Sequence, residues 1–248
     1  MMRRFRADLH LHSVLSPCAD LAMSPDQILA SAKERKLDII AITDHNSTKQ
    51  CNVVREMAAK QHIIVLNGCE VNSQEEVHAL CLFEDDHTRD EFQQFIDQYL
   101  PHIPNHPNYF GYQLVVNRNN MIREEIPWYL GNGLQVSLEK IADYVHQLNG
   151  IFIPAHIDRP INSLFSQLGF LPKELKIDAL QISKHADEMA IRKKFDIHPD
   201  ITLIKASDAH YPEDIGTACS VFELINPTFE EIRWALHQQH GRSVKIEA

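Results

Sequence analysis

Two histidines one residue apart, His10 and His12, close an apolar stretch near the start of the chain. Residues two apart in a β-strand point to the same side, so Asp8, His10 and His12 would share one face while Leu9 and Leu11 pack on the other. Two imidazoles placed in this way can bind one divalent ion. A single pair of this kind is weak evidence for a metal site, so the rest of the chain must supply further ligands.

Histidines and carboxylates follow several later apolar stretches. With the exception of His78, each stands where the stretch ends. The carboxyl ends of parallel strands form the edge at which α/β folds build their active sites, so these groups are expected to meet there. Six of the 15 histidines, with carboxylates among them, follow this pattern, which predicts metal binding. Besides His10 and His12, the residues are Asp44, His45, Glu70, His78, His156, Asp208 and His210.

The candidate ligands are nitrogen and oxygen donors, which favour Zn²⁺, Mn²⁺ or Fe²⁺ over Cu(I) or an iron–sulfur cluster. The five cysteines are scattered and never spaced Cys-x-x-Cys, as expected for reduced thiols in a cytoplasmic protein. Cys69 should point away from its neighbour Glu70, because successive strand residues face opposite sides. Cys18 lies in a predicted loop near Asp20, and we interpret it as a structural residue.

Charge and composition argue against several classes of function. The formal net charge of −10 disfavours duplex nucleic acid as a partner, because affinity for phosphate requires a basic face. Neither of the glycine-rich nucleotide-binding motifs occurs in the chain. No apolar run approaches the roughly 18 residues that span a bilayer, and no apolar signal region opens the chain. We therefore predict a cytoplasmic protein with no membrane partner.

Apolar and amphipathic segments alternate along most of the chain, which predicts a single α/β domain over residues 1–248 with a mostly parallel sheet. Residues 101–136 interrupt the alternation and are rich in proline, asparagine and aromatic residues, as in a lid or a packed excursion at one end of a barrel. We predict strands at about 4–11, 38–43, 62–67, 76–83, 151–155, 178–183, 201–206 and 219–225, and helices at about 25–36, 48–60, 88–99, 138–149, 187–195 and 228–240.

Five motifs together resemble those of the polymerase and histidinol phosphatase (PHP) family, in the same order. They are His10-Leu-His12, Thr43-Asp-His45, Gly68-Cys-Glu70, Pro154-Ala-His156 and Ser207-Asp-Ala-His210. The chain is most similar to a subgroup of metal-dependent phosphoesterases that also contains the sequences SPCAD and TDHN. The resemblance implies a distorted (β/α)7 barrel, with 101–136 inserted in it, that binds two or three divalent ions of Zn, Mn or Fe.

The resemblance also implies which residues bind each ion. Glu70 would bridge the first and second ions, and Asp20 would take a place at which some relatives have histidine. The implied ligands are His10, His12, Glu70 and Asp208 for the first ion, Glu70, His78 and His156 for the second, and Asp20, His45 and His210 for the third.

The chemistry implied by such a site is attack of a metal-bridging hydroxide on the phosphorus of an ester. Of the ligands, Glu70, Asp208 and His210 are predicted to be catalytic. Arg159, three residues after a ligand, is predicted to bind the phosphate, although it could equally be a surface ion-pair partner.

Three further polar residues are assigned supporting roles. Lys184 is a second candidate for binding the phosphate, with the same surface alternative. Asp8 and Asp44 are predicted to orient imidazoles through hydrogen bonds, and Asp44 can also cap a helix.

The favoured function is hydrolysis of a small phosphate ester, such as a nucleotide or sugar phosphate. An exonuclease-type phosphodiesterase acting on short single strands is the main alternative. An amidohydrolase-type C–N hydrolase is less favoured, because that family expects a bridging lysine and this chain offers Glu70. A metal-binding regulatory domain without activity is the fourth possibility. The sequence leaves the substrate, the native metal and the oligomeric state open.

Overall fold

A computed structural model describes residues 1–247 of the chain. The strands in this range are β1 (Arg3–Leu11), β2 (Ile39–Ile42), β3 (Ile64–Asn72), β4 (His78–Phe83), β5 (Leu114–Val116), β6 (Ile122–Glu125), β7 (Ile151–Pro154), β8 (Leu180–Ile182), β9 (Leu203–Lys205), β10 (Ser220–Leu224) and β11 (Ser243–Ile246). The α-helices are α1 (Pro25–Glu34), α2 (Cys51–Ala58), α3 (Asp86–Tyr99), α4 (Pro107–Phe110), α5 (Leu138–Gln147), α6 (Leu164–Gln167), α7 (Glu188–Phe195) and α8 (Phe229–Leu236).

Seven strands form a curled sheet in the order β11-β10-β1-β2-β3-β4-β7, and β8 pairs with β9 in a separate parallel sheet. Backbone hydrogen bonds link this pair to both sides of the opening, from Ile157 to Gln181 at 2.9 Å and from His12 to Ala209 at 3.0 Å. The fold is therefore a mixed α/β half-barrel, consistent with the expected distorted barrel, while a regular (β/α)7 repeat is not confirmed.

The expectation of a mostly parallel sheet was wrong at its flanks. Within the seven-stranded sheet only the pairs β1–β2 and β2–β3 are parallel, and the four other pairs of neighbouring strands are antiparallel. The turn over residues 73–77 is too short for a crossover, so β3 and β4 form a hairpin. A continuously apolar stretch indicates burial on both faces, and this property carries no information about strand direction.

The predicted elements all occur, with shifted boundaries, because their apolar spacing determines which face is buried. The structure adds β11, α6 and, inside the 101–136 segment, the short helix α4 and the hairpin β5–β6. No helix within residues 1–247 combines the length and the apolar character needed to cross a membrane.

The end of β1 departs from simple alternation. Its register against β2 shifts between Asp8 and Leu11. Leu9 consequently packs in one apolar cluster, with Ile39 and Ile153, whereas Leu11 packs in another. Such an irregularity re-aims side chains at a strand end, which is where His10 and His12 lie.

Asp178 connects α5, β7 and the residue after α8 through hydrogen bonds. Its carboxylate accepts hydrogen bonds from His146 on α5 at 2.9 Å, from His237 after α8 at 2.7 Å and from the backbone N–H of Phe152 on β7 at 2.7 Å. Burial opposes ionisation, but the two imidazoles outweigh it and lower the pKa of Asp178 from 3.8 to about 2. The ionised form is therefore the one that the folded protein stabilises.

Replacing Asp178 with asparagine is expected to lower the free energy of unfolding at pH 7 by about 2 kcal/mol, because a shift of one pKa unit corresponds to about 1.4 kcal/mol. Since the folded-state pKa is depressed, this stabilisation is present above pH 4 and is lost as the pH falls towards 2. Urea unfolding across this range measures it. Asp143→Asn removes an exposed ion pair with Lys176 and should change stability by less than about 0.5 kcal/mol; equal effects of the two variants would contradict the expectation.

Candidate metal centre

Six imidazoles and two carboxylates meet at the ends of β1, β2 and β3, at the start of β4 and in the loops after β7 and β9. Most are completely or almost completely buried, and His210 is partly exposed at the mouth of the cluster. The structure thus brings together eight of the nine residues implied as ligands, which are His10, His12, His45, Glu70, His78, His156, Asp208 and His210.

The first donor set consists of His10, His12, Glu70 and Asp208, and its ligand atoms are evenly spaced. His10 Nε2 lies 3.3 Å from Glu70 Oε2, 3.3 Å from Asp208 Oδ1 and 3.2 Å from His12 Nε2. His12 Nε2 lies 3.3 Å from the same oxygen of Glu70 and 3.2 Å from that of Asp208. A tetrahedral ion bound at about 2.0–2.2 Å separates its ligand atoms by roughly 3.3 Å. The residues present therefore fit a divalent metal ion.

Glu70 contacts two groups of imidazoles with its two oxygens. Oε2 belongs to the first donor set, whereas Oε1 lies 3.0 Å from His78 Nδ1 and 3.0 Å from His156 Nε2. We call Glu70, His78 and His156 the second donor set. One carboxylate shared in this manner can hold two ions side by side, as in two-metal hydrolytic sites.

The third group differs from the expected one. Ligand atoms of His12, Cys18, His45 and His210 all lie within 4.8 Å of one another. Asp20 is exposed, and its carboxylate accepts a hydrogen bond from the backbone N–H of Ala22 at 2.8 Å. The structure therefore does not place Asp20 with His45 and His210, and the thiol of Cys18 occupies the position next to them.

Hydrogen bonds set the tautomers of the first two histidines. His10 Nδ1–H donates to Gln181 Oε1 at 2.9 Å, which leaves Nε2 free to bind a metal. His12 Nδ1 lies 2.9 Å from Ser16 Oγ, and that hydroxyl donates its own hydrogen to Asp44 at 2.6 Å. Ser16 therefore accepts from His12, which again leaves Nε2 free.

The carboxylates of Asp8 and Asp44 act on the loops rather than on imidazoles directly. Asp44 accepts from the backbone N–H and the hydroxyl of Ser13, both at 2.7 Å, and from Ser16. Asp8 accepts from the backbone N–H of Ser207 at 2.9 Å and from the hydroxyl of the same residue. Burial raises the pKa of Asp8 to about 6 despite these bonds, and burial raises the pKa of Asp44 as well.

The charges of the cluster are strongly coupled. Burial opposes ionisation of Glu70, but the imidazoles of His10, His78 and His45 hold its pKa well below the usual range. Burial also lowers the pKa of His12, yet the carboxylates of Asp208 and Glu70 outweigh it and raise that pKa well above its ordinary value. Protons and metal ions would therefore compete for the same Nε2 atoms, so binding of an ion would release protons.

Two ligand residues have backbone conformations that side chains rarely adopt. His156 has φ 27° and Asp208 has φ 54°, in the loops after β7 and β9. Such conformations cost free energy and persist where the surrounding structure enforces them, typically at functional sites.

A cavity of about 420 Å³ opens beside the cluster. Arg159 lies at its wall and its guanidinium contacts the Asp208 carboxylate, while Lys184 Nζ lies 3.2 Å from Asp214 Oδ1. Both cations are thus adjacent to the metal ligands and ion-paired at the same time. The other lining residues are His156, Gln181, Ser183, His185, Ala206, Ser207, Asp208, His210, Tyr211 and Asp214.

The 101–136 segment packs against the loops that carry ligands. The side-chain amide of Asn46, next to His45, donates to the carbonyls of Leu130 at 2.7 Å and Asn132 at 2.8 Å. A side chain at Gly111 would overlap the carbonyl of Pro17, so the segment closely approaches the Ser13–Cys18 loop.

Sequence reasoning missed Gln181, Ser16 and the position of Cys18. Gln181 could have been found, because it is a polar residue inside the short apolar strand β8 and is 1% exposed. Ser16 and Cys18 lie in a loop, where no periodic pattern indicates which side chains face the site.

Comparison with known proteins identifies relatives by sequence model and by structure. A family model described as "PHP domain" matches residues 8–167, and no curated protein matches the chain. Endonuclease Q from Pyrococcus furiosus has a similar structure, with a TM-score of 0.76 and 24% identity over 98% of this chain. A complex of endonuclease Q with a 27-mer duplex carrying an abasic lesion gives a TM-score of 0.72, 23% identity and 97% coverage.

A third similar structure is a two-domain protein from Bacteroides vulgatus that contains a predicted PHP-like metal-dependent phosphoesterase. Its TM-score is 0.58, with 15% identity over 98% of this chain and 65% of that protein. In both endonuclease Q structures, this chain covers 58% of the relative's length.

The expectation that net charge rules out duplex nucleic acid was wrong. A protein with this fold binds a DNA duplex, so the overall charge of the chain does not exclude such a partner. The physical reason is that net charge counts buried acids such as Asp8, Asp44 and Glu70, which face hydrogen-bond donors or imidazoles and not the solvent. A phosphate backbone meets one local surface, where bound cations and nearby arginine or lysine residues determine the field.

Proposed function

Because this chain belongs to the PHP domain family, we propose that it is a metal-dependent phosphoesterase that hydrolyses a small phosphate ester, such as a nucleotide or sugar phosphate. The observation that carries the proposal is the spacing of the first donor set, in which each imidazole nitrogen lies 3.2–3.3 Å from the other nitrogen and from both carboxylate oxygens. Glu70 connects this set to a second group of imidazoles. Paired sites of this kind are suited to hydrolysis at phosphorus.

When bound, divalent ions would supply an acidified water as nucleophile and positive charge next to the phosphoryl oxygens. The protein's own contribution is to hold the ligands without freedom to rotate. Gln181 and Ser16 orient the two imidazoles of the first donor set, and Asp44 orients Ser16. A donor arrangement formed before the substrate binds needs no reorganisation during the reaction.

The cavity beside the cluster supports a substrate of nucleotide size. Its volume of about 420 Å³ is within the range of small-molecule sites. Arg159 and Lys184 offer positive charge at its wall, and Tyr211 offers an aromatic face. Arg159 can donate two parallel hydrogen bonds to a phosphate, and its contact with the Asp208 carboxylate holds it beside the first donor set.

The direct test is hydrolysis of a panel of monoesters, nucleotides, sugar phosphates and cyclic diesters, using protein loaded in turn with Zn²⁺, Mn²⁺ and Fe²⁺. Phosphate release measures hydrolysis of the monoesters, and release of the ring-opened monoester measures hydrolysis of the cyclic diesters. Activity is expected with at least one class, together with its loss in His12→Ala. No release from any compound, or equal release by His12→Ala, would overturn the proposal.

A second candidate is a nuclease, which the fold similarity to endonuclease Q favours. In this case one nucleotide of a strand would occupy the cavity, and the rest of the strand would lie outside it. This chain covers 58% of endonuclease Q, so part of that enzyme has no counterpart here. End-labelled strands separate the possibilities: cleavage next to an abasic site in a duplex indicates the endonuclease, whereas mononucleotides released from short single strands indicate an exonuclease.

Replacing Arg159 with methionine is expected to lower kcat/KM for the best substrate by roughly 100-fold, by analogy with the loss of one donor to a developing charge. Arg159→Lys should recover part of this loss, because lysine keeps the charge but not the paired donors. Metal content should be unchanged in both variants. Arg4→Met, at the exposed start of β1, is the control and should leave kcat/KM unchanged. If Arg159→Met changes kcat/KM as little as Arg4→Met does, Arg159 does not bind the substrate and only forms its ion pair with Asp208.

A further inference from the structure

We propose that Cys18 is a metal ligand, and that its thiolate together with His45 and His210 forms a third metal position of mixed sulfur and nitrogen character. The inference rests on the metal centre of the proposed function, which by itself requires only nitrogen and oxygen ligands. It assigns a sulfur ligand to one metal position of that centre.

The geometry places the sulfur among imidazoles. Cys18 Sγ lies 3.1 Å from His210 Nε2, and the ligand atoms of Cys18, His12, His45 and His210 fall within 4.8 Å of one another. A tetrahedral ion with Zn–S and Zn–N bonds of ordinary length separates sulfur from nitrogen by roughly 3.6 Å, so a shift of about half an ångström would admit the ion. His12 uses its Nε2 in the first donor set and its Nδ1 towards Ser16, which leaves the other three residues for this position.

His45 supplies an independent indication of a ligand. The residue is 9% exposed, and its Nδ1 is buried without a hydrogen-bond partner among residues 1–247. Glu70 Oε2 lies 3.2 Å away but is not aligned to accept a hydrogen bond. Buried polar atoms in native proteins normally have partners, and a bound cation would provide one here.

The loop that carries Cys18 is fixed relative to His45. Ser16 Oγ accepts a hydrogen bond from the backbone N–H of His45 at 3.1 Å and donates one to Asp44. Pro17 packs closely against Gly111 from the 101–136 segment. The sulfur is therefore held at the mouth of the centre by the same contacts that position its neighbouring ligand.

The other cysteines and Asp20 do not share this position. Cys51, Cys69, Cys81 and Cys219 are buried within apolar clusters, whereas Cys18 is exposed beside the imidazoles. The Asp20 carboxylate turns back to the Ala22 backbone, and only the Asp20 backbone N–H reaches His210, donating to its carbonyl at 2.9 Å.

A thiolate makes the third position softer than the other two. Sulfur ligands favour Zn²⁺ and disfavour Mn²⁺ and Mg²⁺, which prefer oxygen. The centre is therefore expected to take ions of two kinds when both are present, with Zn²⁺ retained at Cys18 and Mn²⁺ admitted at the nitrogen and oxygen positions.

The test is loading of the metal-free protein with Co²⁺, followed by absorption spectroscopy. A bound thiolate gives an intense near-ultraviolet charge-transfer band, and all Co²⁺ sites give weaker visible bands. Wild-type protein should show both, and Cys18→Ser should lose the charge-transfer band, bind one Co²⁺ fewer and keep the remaining visible absorption. Asp20→Asn is the matched control and should retain the charge-transfer band.

Two results would overturn the assignment of Cys18 alone. One is a wild-type spectrum with visible bands but no charge-transfer band, and the other is an unchanged charge-transfer band in Cys18→Ser. Binding of one Co²⁺ fewer by Asp20→Asn, with full Co²⁺ content in Cys18→Ser, would assign the third position to Asp20 and overturn the proposal. Failure of the wild type to bind any Co²⁺ would overturn the metal centre itself, and with it the proposed function. Thermal unfolding of each variant confirms that the spectra come from folded protein.

Discussion

Replacing Glu70 with glutamine is expected to lower kcat/KM for phosphate-ester hydrolysis by roughly 1000-fold, because several kcal/mol of charge stabilisation depend on the metal pair. The carboxylate contacts both donor sets, with Oε2 next to His10 and His12 and Oε1 next to His78 and His156. Glutamine has almost the same shape but no charge, and its amide nitrogen cannot act as a ligand. This one substitution would weaken the binding of both ions, so metal content should fall along with activity.

The experiment compares steady-state hydrolysis and bound metal per chain in the purified variant and in wild-type protein. Glu84→Gln, an exposed residue just after β4, makes the same chemical change away from the centre and should match the wild type in both measurements. Retention of the full wild-type number of bound ions by Glu70→Gln would show that the carboxylate does not bridge them. Full activity of Glu70→Gln with normal metal content would show that the Glu70 carboxylate is not needed for the reaction.

Removing the metal ions is expected to abolish activity reversibly and to lower the melting temperature by about 10 °C. An ion present at 100 to 1000 times its dissociation constant stabilises the folded state by about 3–4 kcal/mol, which corresponds to shifts of this size in a chain of this length. The structural reason is that the candidate ligands are buried and come from separate strands and loops, which a bound ion would connect.

Dialysis against a chelator, followed by thermal unfolding and activity measurements, tests this expectation. Dialysis against the same chelator saturated with Zn²⁺ controls for effects of the chelator itself, and addition of metal to the stripped protein should restore both properties. An unchanged melting temperature together with complete metal removal would show that the cluster is equally stable without ions.

Much of the centre follows from the sequence because its ligands lie at strand ends. His10, His12, His45 and Glu70 follow or end apolar stretches that form β1, β2 and β3, and these three strands are parallel, so their ends share an edge. The argument from strand ends needs no knowledge of side-chain conformation. It therefore succeeds where the sheet is parallel.

The same reasoning does not extend to loops or to strand direction. Asp20 was assigned by resemblance to the family motif, and in the structure its carboxylate accepts a hydrogen bond from the backbone of Ala22, outside the group formed by His12, Cys18, His45 and His210. The orientation of Cys18 could not be predicted, because a loop has no period that indicates which side chains face the site. The hairpin of β3 and β4 was missed because burial patterns do not distinguish parallel from antiparallel neighbours.

The exclusion of duplex partners failed for a different reason. Net charge is a sum over the whole chain, whereas a partner experiences the field of one surface. Several of the acids that make the sum negative are buried and already satisfied, as Asp178 is between two histidines. Only the structure shows which charges reach the solvent.

The left-handed backbone at Asp208 affects how mutagenesis of this centre should be designed. Alanine disfavours a positive φ by about 1 kcal/mol or more, whereas asparagine tolerates it. An alanine scan would therefore combine loss of a ligand with a local backbone rearrangement at Asp208 and also at His156. Asparagine removes the negative charge at Asp208 and the imidazole at His156 while preserving the loop, so comparison of the asparagine and alanine variants separates chemistry from conformation.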